Sequence, residues 1–578
     1  MTDGASPETA TGGRGHGPPL CTSATGSDLH VLTTESPSSP LPENRSLLGG
    51  LRIVSLCTLA SRVLGLFRDT AMAALFGAGP ILDTFTVAFQ IPNLARQLLG
   101  EGALTAAFLP AFVRARREQG EAGARRLTTA TAVSLAQILI AIVAISEIVI
   151  ALGLWYAPLG EDTRRLLHLL ALFAPYLILV CLTALLCAVL QSLGRYFWPA
   201  ILPVFLNLVW LAAVGLVPLI SGDSETQIRL IALSLMVAGT GQLLAPGLVL
   251  RSIGFQGSPD WREARKETRT VFYSMGPVVA GVVLTQLNAL VDRLLAWGLS
   301  LPELGQRVTW LPRLEVGTAS AMYLGQRMYQ FPLGVFGVAL GTVLFPILTR
   351  HAEQGDRPRF RQDLGLGVRL ALAIGVPASA GLILVAEPLT KALFQYGKFD
   401  EQDAQLTAEM IRAYGSAAWA FILLLIVNRG FYALGDRRTP VTIGQWSIAG
   451  NLTISLLLIV PLGGPGLAWG TSIATMIQAV WSLRQLASAT GGLDRGSLWR
   501  TTVRVAVATS VMVTVVFGLQ SVLIPGGGIL QRGLTLAGQC LLGGVAYLVA
   551  AHLVGLPEPW WLLGGRLDSP HPREDRTE

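Results

Sequence analysis

Charge is what this sequence has little of. Asp, Glu, Lys and Arg together make up 14% of its 578 residues, against about a quarter in an ordinary soluble domain, which excludes a water-soluble fold of this length. Cysteine is scarce too. The five present (Cys21, Cys57, Cys181, Cys187 and Cys540) fall mainly inside apolar segments, with neither metal-ligand spacing nor the pairing pattern of a secreted scaffold. The six histidines are scattered, and there is no HExxH, no nucleophile elbow and no pair of acids in a cytoplasmic loop, so the common hydrolytic constellations are missing. Residues 1–45 lack apolar periodicity and are rich in Gly, Pro, Ser and Thr; such a segment buries too little surface to fold and is expected to be a disordered tail. It shows no basic stretch followed by a short apolar core and cleavage site, so a signal peptide is not expected.

What the chain has is hydrocarbon. Hydrophobic residues make up 52% and the mean hydropathy is +0.54, the composition of an all-α polytopic membrane protein. Apolar spans lie near 48–78, 84–113, 128–156, 165–192, 197–220, 227–250, 270–299, 320–349, 364–386, 405–434, 440–461, 465–487, 501–524 and 533–555, each long enough to cross a bilayer as a helix. The second and eighth are interrupted by Pro92, Gly100 and Gly102 and by Pro332, Gly334 and Gly337, which is tolerated where helices line a cavity. The net charge of +7 does not indicate nucleic acid, because Lys and Arg collect in alternate short loops, among them Arg114 to Arg126, Arg262 to Arg269, Arg350 to Arg361, and Arg495 with Arg500. By the positive-inside rule those loops, and both termini, are cytoplasmic.

Two motif pairs recur at one offset. Pro92 in FQIPNLARQLLGEGALTAAFLP and Pro332 in YQFPLGVFGVALGTVLFP are 240 residues apart (332 − 92), and Gly194 in LGRYFWP and Gly435 in LGDRRTP are 241 apart (435 − 194). The pattern predicts two parallel-repeat bundles of six helices, 46–255 and 256–490, two further helices within 491–556 outside the repeat, and a short tail at 557–578.

Against this apolar background the stretch SRVLGLFRDTAMAALFGAG (61–79) carries Arg62, Arg68 and Asp69. A charged side chain facing lipid at mid-bilayer costs roughly 2.5–3.5 kcal/mol on insertion scales. Arg62 and Arg68 lie about 15 and 24 Å beyond Arg52 along a helix, too deep for both to reach one headgroup layer. Asp83, Arg96, Glu101, Asp292, Arg293 and Arg327 are also at membrane depth. The set predicts a hydrated cationic cavity between the two halves, suited to an anion with phosphate oxygens, which match the bidentate guanidinium fork. Asp292 is expected to pair with Arg293.

The stretch ASRVLGLFRDTAMAALFGAGPILDTFTVAFQIPNLARQLLGEGALTAAFLP, followed in order by QSLGRYFWPAILPVFLN, RMYQFPLGVFGVALGTVLFPILTR, LFQYGKFD and LGDRRTPV, resembles the MurJ (MviN) family of lipid II flippases over roughly residues 48–555. The resemblance implies the fourteen-helix fold of the multidrug, oligosaccharidyl-lipid and polysaccharide exporters in the bacterial cytoplasmic membrane. It implies export of a polyprenyl-linked peptidoglycan precursor, no enzymatic reaction and no organic cofactor, with the membrane potential and sodium or proton coupling as energy sources. It also implies membrane lipids and cell-wall synthesis machinery as partners and a monomeric chain. By the resemblance, the head-group residues are Arg62, Arg68, Arg96 and Arg327, with Asp69, Asp83 and Glu101 as acidic companions. Where family members often carry acids beside the eighth-span arginine, this chain has Gln326 and Gln330. Some members resemble sodium-coupled carriers, which implies an ion site at Asp292, Asn451, Ser455 and Thr471, although the aspartate expected on the eleventh span is absent. The alternatives are an exporter of another polyprenyl-linked glycan and a membrane enzyme acting on polyprenyl phosphates.

Overall fold

Leu219, Ile145 and Leu541, spread over three helices, are 82%, 63% and 68% exposed. So much bare apolar surface is incompatible with water and belongs against lipid tails. The computed structural model describes residues 42–97, 104–302, 312–522 and 528–562. Most of the expected N-terminal tail, the C-terminal tail from 563, Gly100, Glu101 and Gly102 lie outside the described residues. Contacts divide the chain into Met1–Gly49, where the described residues are helical, and Gly50–Glu578, which carries everything that follows.

The described residues form helices and no strand: α1 (Pro42–Phe76), α2 (Pro80–Ala95), α3 (Leu104–Tyr156), α4 (Glu161–Ser192), α5 (Phe197–Ile220), α6 (Ser224–Ser252), α7 (Arg265–Ser300), α8 (Thr318–Pro332), α9 (Val338–Glu353), α10 (Arg357–Leu393), α11 (Glu401–Ser416), α12 (Ala418–Ala433), α13 (Arg438–Leu462), α14 (Gly464–Thr490), α15 (Arg495–Val522), α16 (Ile529–Leu553) and the short α17 (Glu558–Leu562). Ten helical stretches among the described residues are long and apolar enough to cross a membrane. The remaining segments of the fourteen, at the start of the chain, across α2–α3, at α7 and at α14, are helical over their described residues, so fourteen crossings are compatible with the fold. α3 runs through two of these segments. It breaks at Gly120, whose φ of +68° only glycine adopts without strain.

The two repeat motifs fold alike. After Pro92 the chain widens into a π turn at Arg96 and Gln97, and after Pro332 it does the same over Leu333–Gly337. The cause is shared: proline has no N–H for the i−4 carbonyl and its ring crowds that carbonyl, so the helix relaxes into the wider turn. The LGxxxxP turns match bond for bond. Gly194 and Gly435 both have φ +76°. Arg195 N donates to Leu190 O (2.8 Å), and Asp436 N donates to Phe431 O (3.0 Å). Each is the αL helix ending in which a glycine without Cβ strain lets the next N–H satisfy an orphan carbonyl.

α2 to α6 pack among themselves, as do α8 to α14, while α15 and α16 pack on each other and on α10. The halves meet where α2 touches α7 and α8, and where α3 touches α7.

Candidate functional site

Between the halves lies a chamber of about 1630 Å³. Val54, Gln191 and Tyr196 line it toward the end where α1 begins and α4 meets α5. The opposite end is shut by direct contact between the halves. Lys398 N donates to Ala74 O (2.8 Å), and Ala78 N donates to Asp403 (2.9 Å). A Cβ on Gly397 would lie 2.2 Å from Ala74 O, and one on Gly317 2.1 Å from Ala78 O, so only glycine allows this approach. Apolar clusters that draw on both halves lie behind it, Met72, Phe85 and Trp210 with Trp297, Met322 and Tyr414 in one, and Ala73 with Phe394 and Phe399 in another.

Arg68, Asp69 and Arg327 form the centre. Two guanidinium groups share one carboxylate. Arg68 donates to Asp69 Oδ1 from Nε (3.0 Å) and from Nη2 (2.6 Å), and Arg327 Nε lies 3.1 Å from Asp69 Oδ2. The Tyr323 hydroxyl accepts from Arg68 (3.0 Å) and Arg327 (2.9 Å) and donates to Asp69 (3.0 Å). Arg68 also donates to Asn207 Oδ1 (3.0 Å) and stacks with its Cζ 4.1 Å from the Trp210 ring centroid. One positive charge is left over, and the Arg327 side chain, 40% exposed, faces the chamber with it. A charge buried without a partner is expensive, which explains why Asp69 sits beside the arginines. Asn207, Tyr323 and Trp210 carry no charge and were not among the sequence-derived candidates. Asn207 had one signal, a lone amide in the otherwise apolar run AILPVFLNLVWL.

Arg62 also lines the chamber, on the exposed side, and donates to the Gln330 carbonyl (3.2 Å) in the last turn of α8, just before the π turn. The wide chamber admits both Arg62 and Arg68 although they point about 120° apart on a straight helix. α1 is helical through Gly65, and a Cβ there would meet the Asn207 amide at 3.7 Å. Gly334 makes room for Arg62, since a Cβ there would fall 2.0 Å from its Nη1. Gly334→Ala is therefore expected to leave the fold intact, because the tip of an arginine moves easily, yet to displace Arg62. Binding of a diphosphate anion to this variant in nanodiscs should weaken several-fold, and an unchanged affinity would show that Arg62 needs no fixed position. Arg96 lines the chamber too, and donates to Asn93 Oδ1 (3.2 Å) within its own helix.

Two expectations are corrected. Asp83 does not line the chamber: buried on α2, it accepts from Gly317 N (2.7 Å), Ser320 N (2.7 Å) and the Ser320 hydroxyl (2.6 Å). It thereby caps α8 across the interface at the shut end, where a helix N-terminus offers free N–H groups and positive potential. Asp292 does not pair with Arg293 either. Its oxygens accept from Asn451 Nδ2 (3.1 Å to each) and from Thr471 (2.8 Å), while Ser455 bonds Asn451 Oδ1 (3.2 Å). The four residues expected at an ion site are thus together, joined in one hydrogen-bond network around Asp292. Among the described residues no three His, Cys, Asp or Glu side chains converge on a metal position.

Known proteins were compared with this chain. The family model described as lipid II flippase MurJ matches residues 72–530. A probable lipid II flippase MurJ of Vibrio cholerae serotype O1 is 30% identical over 528 residues, 89% of this chain and 97% of that protein. The corresponding Rhizobium tropici protein is 29% identical over 88% and 95%. In structure the chain is similar to lipid II flippase MurJ in an inward closed conformation, with TM-score 0.69 and 21% identity over 86% of this chain and 98% of that one. It is also similar to an inward-facing MATE family transporter of the MOP superfamily, with TM-score 0.58 and 13% identity over 75% and 95%.

Proposed function

The chain belongs to the lipid II flippase MurJ family, and from that membership we propose that it moves lipid II from the cytoplasmic to the periplasmic leaflet of the inner membrane by alternating access. The observation that carries this reading is the chamber between the halves, with Arg62, Arg68, Arg96 and Arg327 on its wall and an excess of positive charge.

A diphosphate enters from the open end. Arg327 and Arg62, which face the chamber, meet it first. Guanidinium groups bind it through paired N–H···O bonds, stronger than neutral hydrogen bonds because both partners are charged. The anion competes with Asp69 for Arg68 and Arg327, and this competition is what transmits occupancy to the halves: Arg68 belongs to α1, Arg327 to α8. The seal at the far end consists of hydrogen bonds and close glycine contacts between the same two halves, so a rocking motion that separates them there opens the chamber to the other side. The polyprenyl tail cannot follow its head into a charged space without losing apolar burial. Leu389 and Leu393 of α10 and Cys540 of α16 continue the chamber wall toward the extra helices, which supports a tail path into lipid there. With the open end cytoplasmic, as the loop charges favour, an interior-negative potential aids outward passage of each net negative charge by about 2.3 kcal/mol per 100 mV.

The test uses cells in which this chain is the sole copy of such a protein. Depleting it should leave lipid II accumulating in the inner leaflet, read by the access of an external lipid II-modifying enzyme. Unchanged outer-leaflet lipid II on depletion would overturn the proposal.

A further inference from the structure

Arg293 of α7 is the cation in the chamber wall that the mechanism above leaves unused. It is buried, 6% exposed, and lines the chamber. Its partners are neutral: Nη1 donates to Gln90 Oε1 of α2, and Nη2 donates to Gln326 Oε1 of α8 (2.5 Å). Nε has no hydrogen-bond partner. Among the described residues no carboxylate forms an ion pair with it, and the neighbouring Asp292 is occupied by Asn451 and Thr471.

Arg68, by contrast, shares the Asp69 carboxylate with Arg327 and also bonds Asn207 and Tyr323, so an anion must compete with a carboxylate for it. A guanidinium withdrawn from water and matched only by amide oxygens keeps most of its affinity for an anion, because two neutral acceptors do not replace a charged one. Arg293 also belongs to the central cluster. Its Cζ lies 5.3 Å from the Tyr323 ring centroid and that of Arg327 lies 5.2 Å from the same centroid, and both arginines line the same chamber. Gln326 is held in orientation, since its Nε2 donates to the Tyr414 hydroxyl (3.2 Å) and its oxygen therefore faces Arg293.

We propose that Arg293 is a further binding residue for the phosphate oxyanions of the cargo, held by Gln90 and Gln326 until an anion displaces a glutamine oxygen. This rests on the flippase reading of the chamber and adds to it a contact made by α7, so that an occupied chamber engages α1, α7 and α8 together. It also gives Gln326 a purpose: a carboxylate at that position would neutralise Arg293 before cargo arrived.

The full chain in lipid nanodiscs is titrated with farnesyl diphosphate and, separately, with uncharged farnesol. Arg293→Gln should weaken farnesyl diphosphate binding about tenfold, the effect of losing one charge-assisted contact, and leave farnesol binding unchanged. A collapsed chamber would lower both. Arg68→Ala serves as the reference for the chamber itself. If Arg68→Ala weakens diphosphate binding and Arg293→Gln does not, the role of Arg293 is overturned and the flippase reading stands. If the unaltered chain shows no preference for diphosphate, both fall. Should Arg293→Gln not fold, Gln326→Glu decides, because it keeps an acceptor toward Arg293, can accept from the Tyr414 hydroxyl in place of donating to it, and pairs Arg293 with a charge: a comparable loss supports the role, and unaltered affinity overturns it.

Discussion

Arg68→Ala is expected to abolish lipid II translocation, by at least a hundredfold, while the protein remains folded in the membrane. Two charge-assisted contacts to a diphosphate, each worth about 1.5–3 kcal/mol, account for that factor at 1.4 kcal/mol per decade. Folding survives because Asp69 keeps Arg327 and Tyr323 as partners after the arginine is gone, so no carboxylate is stranded. Arg68→Lys should not rescue, since an ammonium neither forks toward two oxygens nor stacks as a plane on Trp210. The check is translocation in vesicles beside the amount of monodisperse protein recovered; near-normal transport by Arg68→Ala would remove the cationic chamber from the mechanism.

Asp83→Ala is expected to open the shut end. The buried carboxylate is the acceptor for Gly317 N, Ser320 N and the Ser320 hydroxyl. Without it the two N–H groups are orphaned, at roughly 1–3 kcal/mol each. Only the closed state suffers this loss. The balance between closed and open forms should therefore shift toward open by tens-fold or more, taking 1.4 kcal/mol as a factor of ten. A cysteine placed at Ala78, buried in the seal, in a background without other cysteines, should then react with a membrane-impermeant thiol reagent far faster than with Asp83 intact, and transport should fall because closure on that side no longer holds. Asp83→Asn, which retains an acceptor oxygen, should give an intermediate rate. Equal labelling in all three would mean that the cap is not part of the seal.

Much of the site was legible in the sequence because lipid makes charge conspicuous. Arg62, Arg68, Arg96 and Arg327 stand out in apolar runs, and the chamber does collect all four. Partners were less legible. Asp83 answers the N-terminus of α8, a demand visible only once α2 and α8 meet. Asp292 and Arg293 are adjacent in sequence and diverge, one toward α13 and α14, the other toward α2 and α8, because consecutive residues on a helix point about 100° apart. Tyr323 and Trp210 gave no signal, since aromatic residues in apolar helices usually serve packing.

The sequence alone determined that this chain is an all-α multi-pass membrane protein of the lipid II flippase family. It also located the helices, the paired breaks after Pro92 and Pro332, and the depth of the arginines, for these follow from hydropathy, from the missing N–H of proline and from length along a helix. Only the tertiary structure decided which acid answers which arginine, which end of the chamber is shut, and that Arg293 faces glutamines instead of its neighbour Asp292. Those outcomes depend on contacts between helices far apart in the chain, and Coulomb and hydrogen-bond energies are set by distances of a few ångströms that no local pattern encodes.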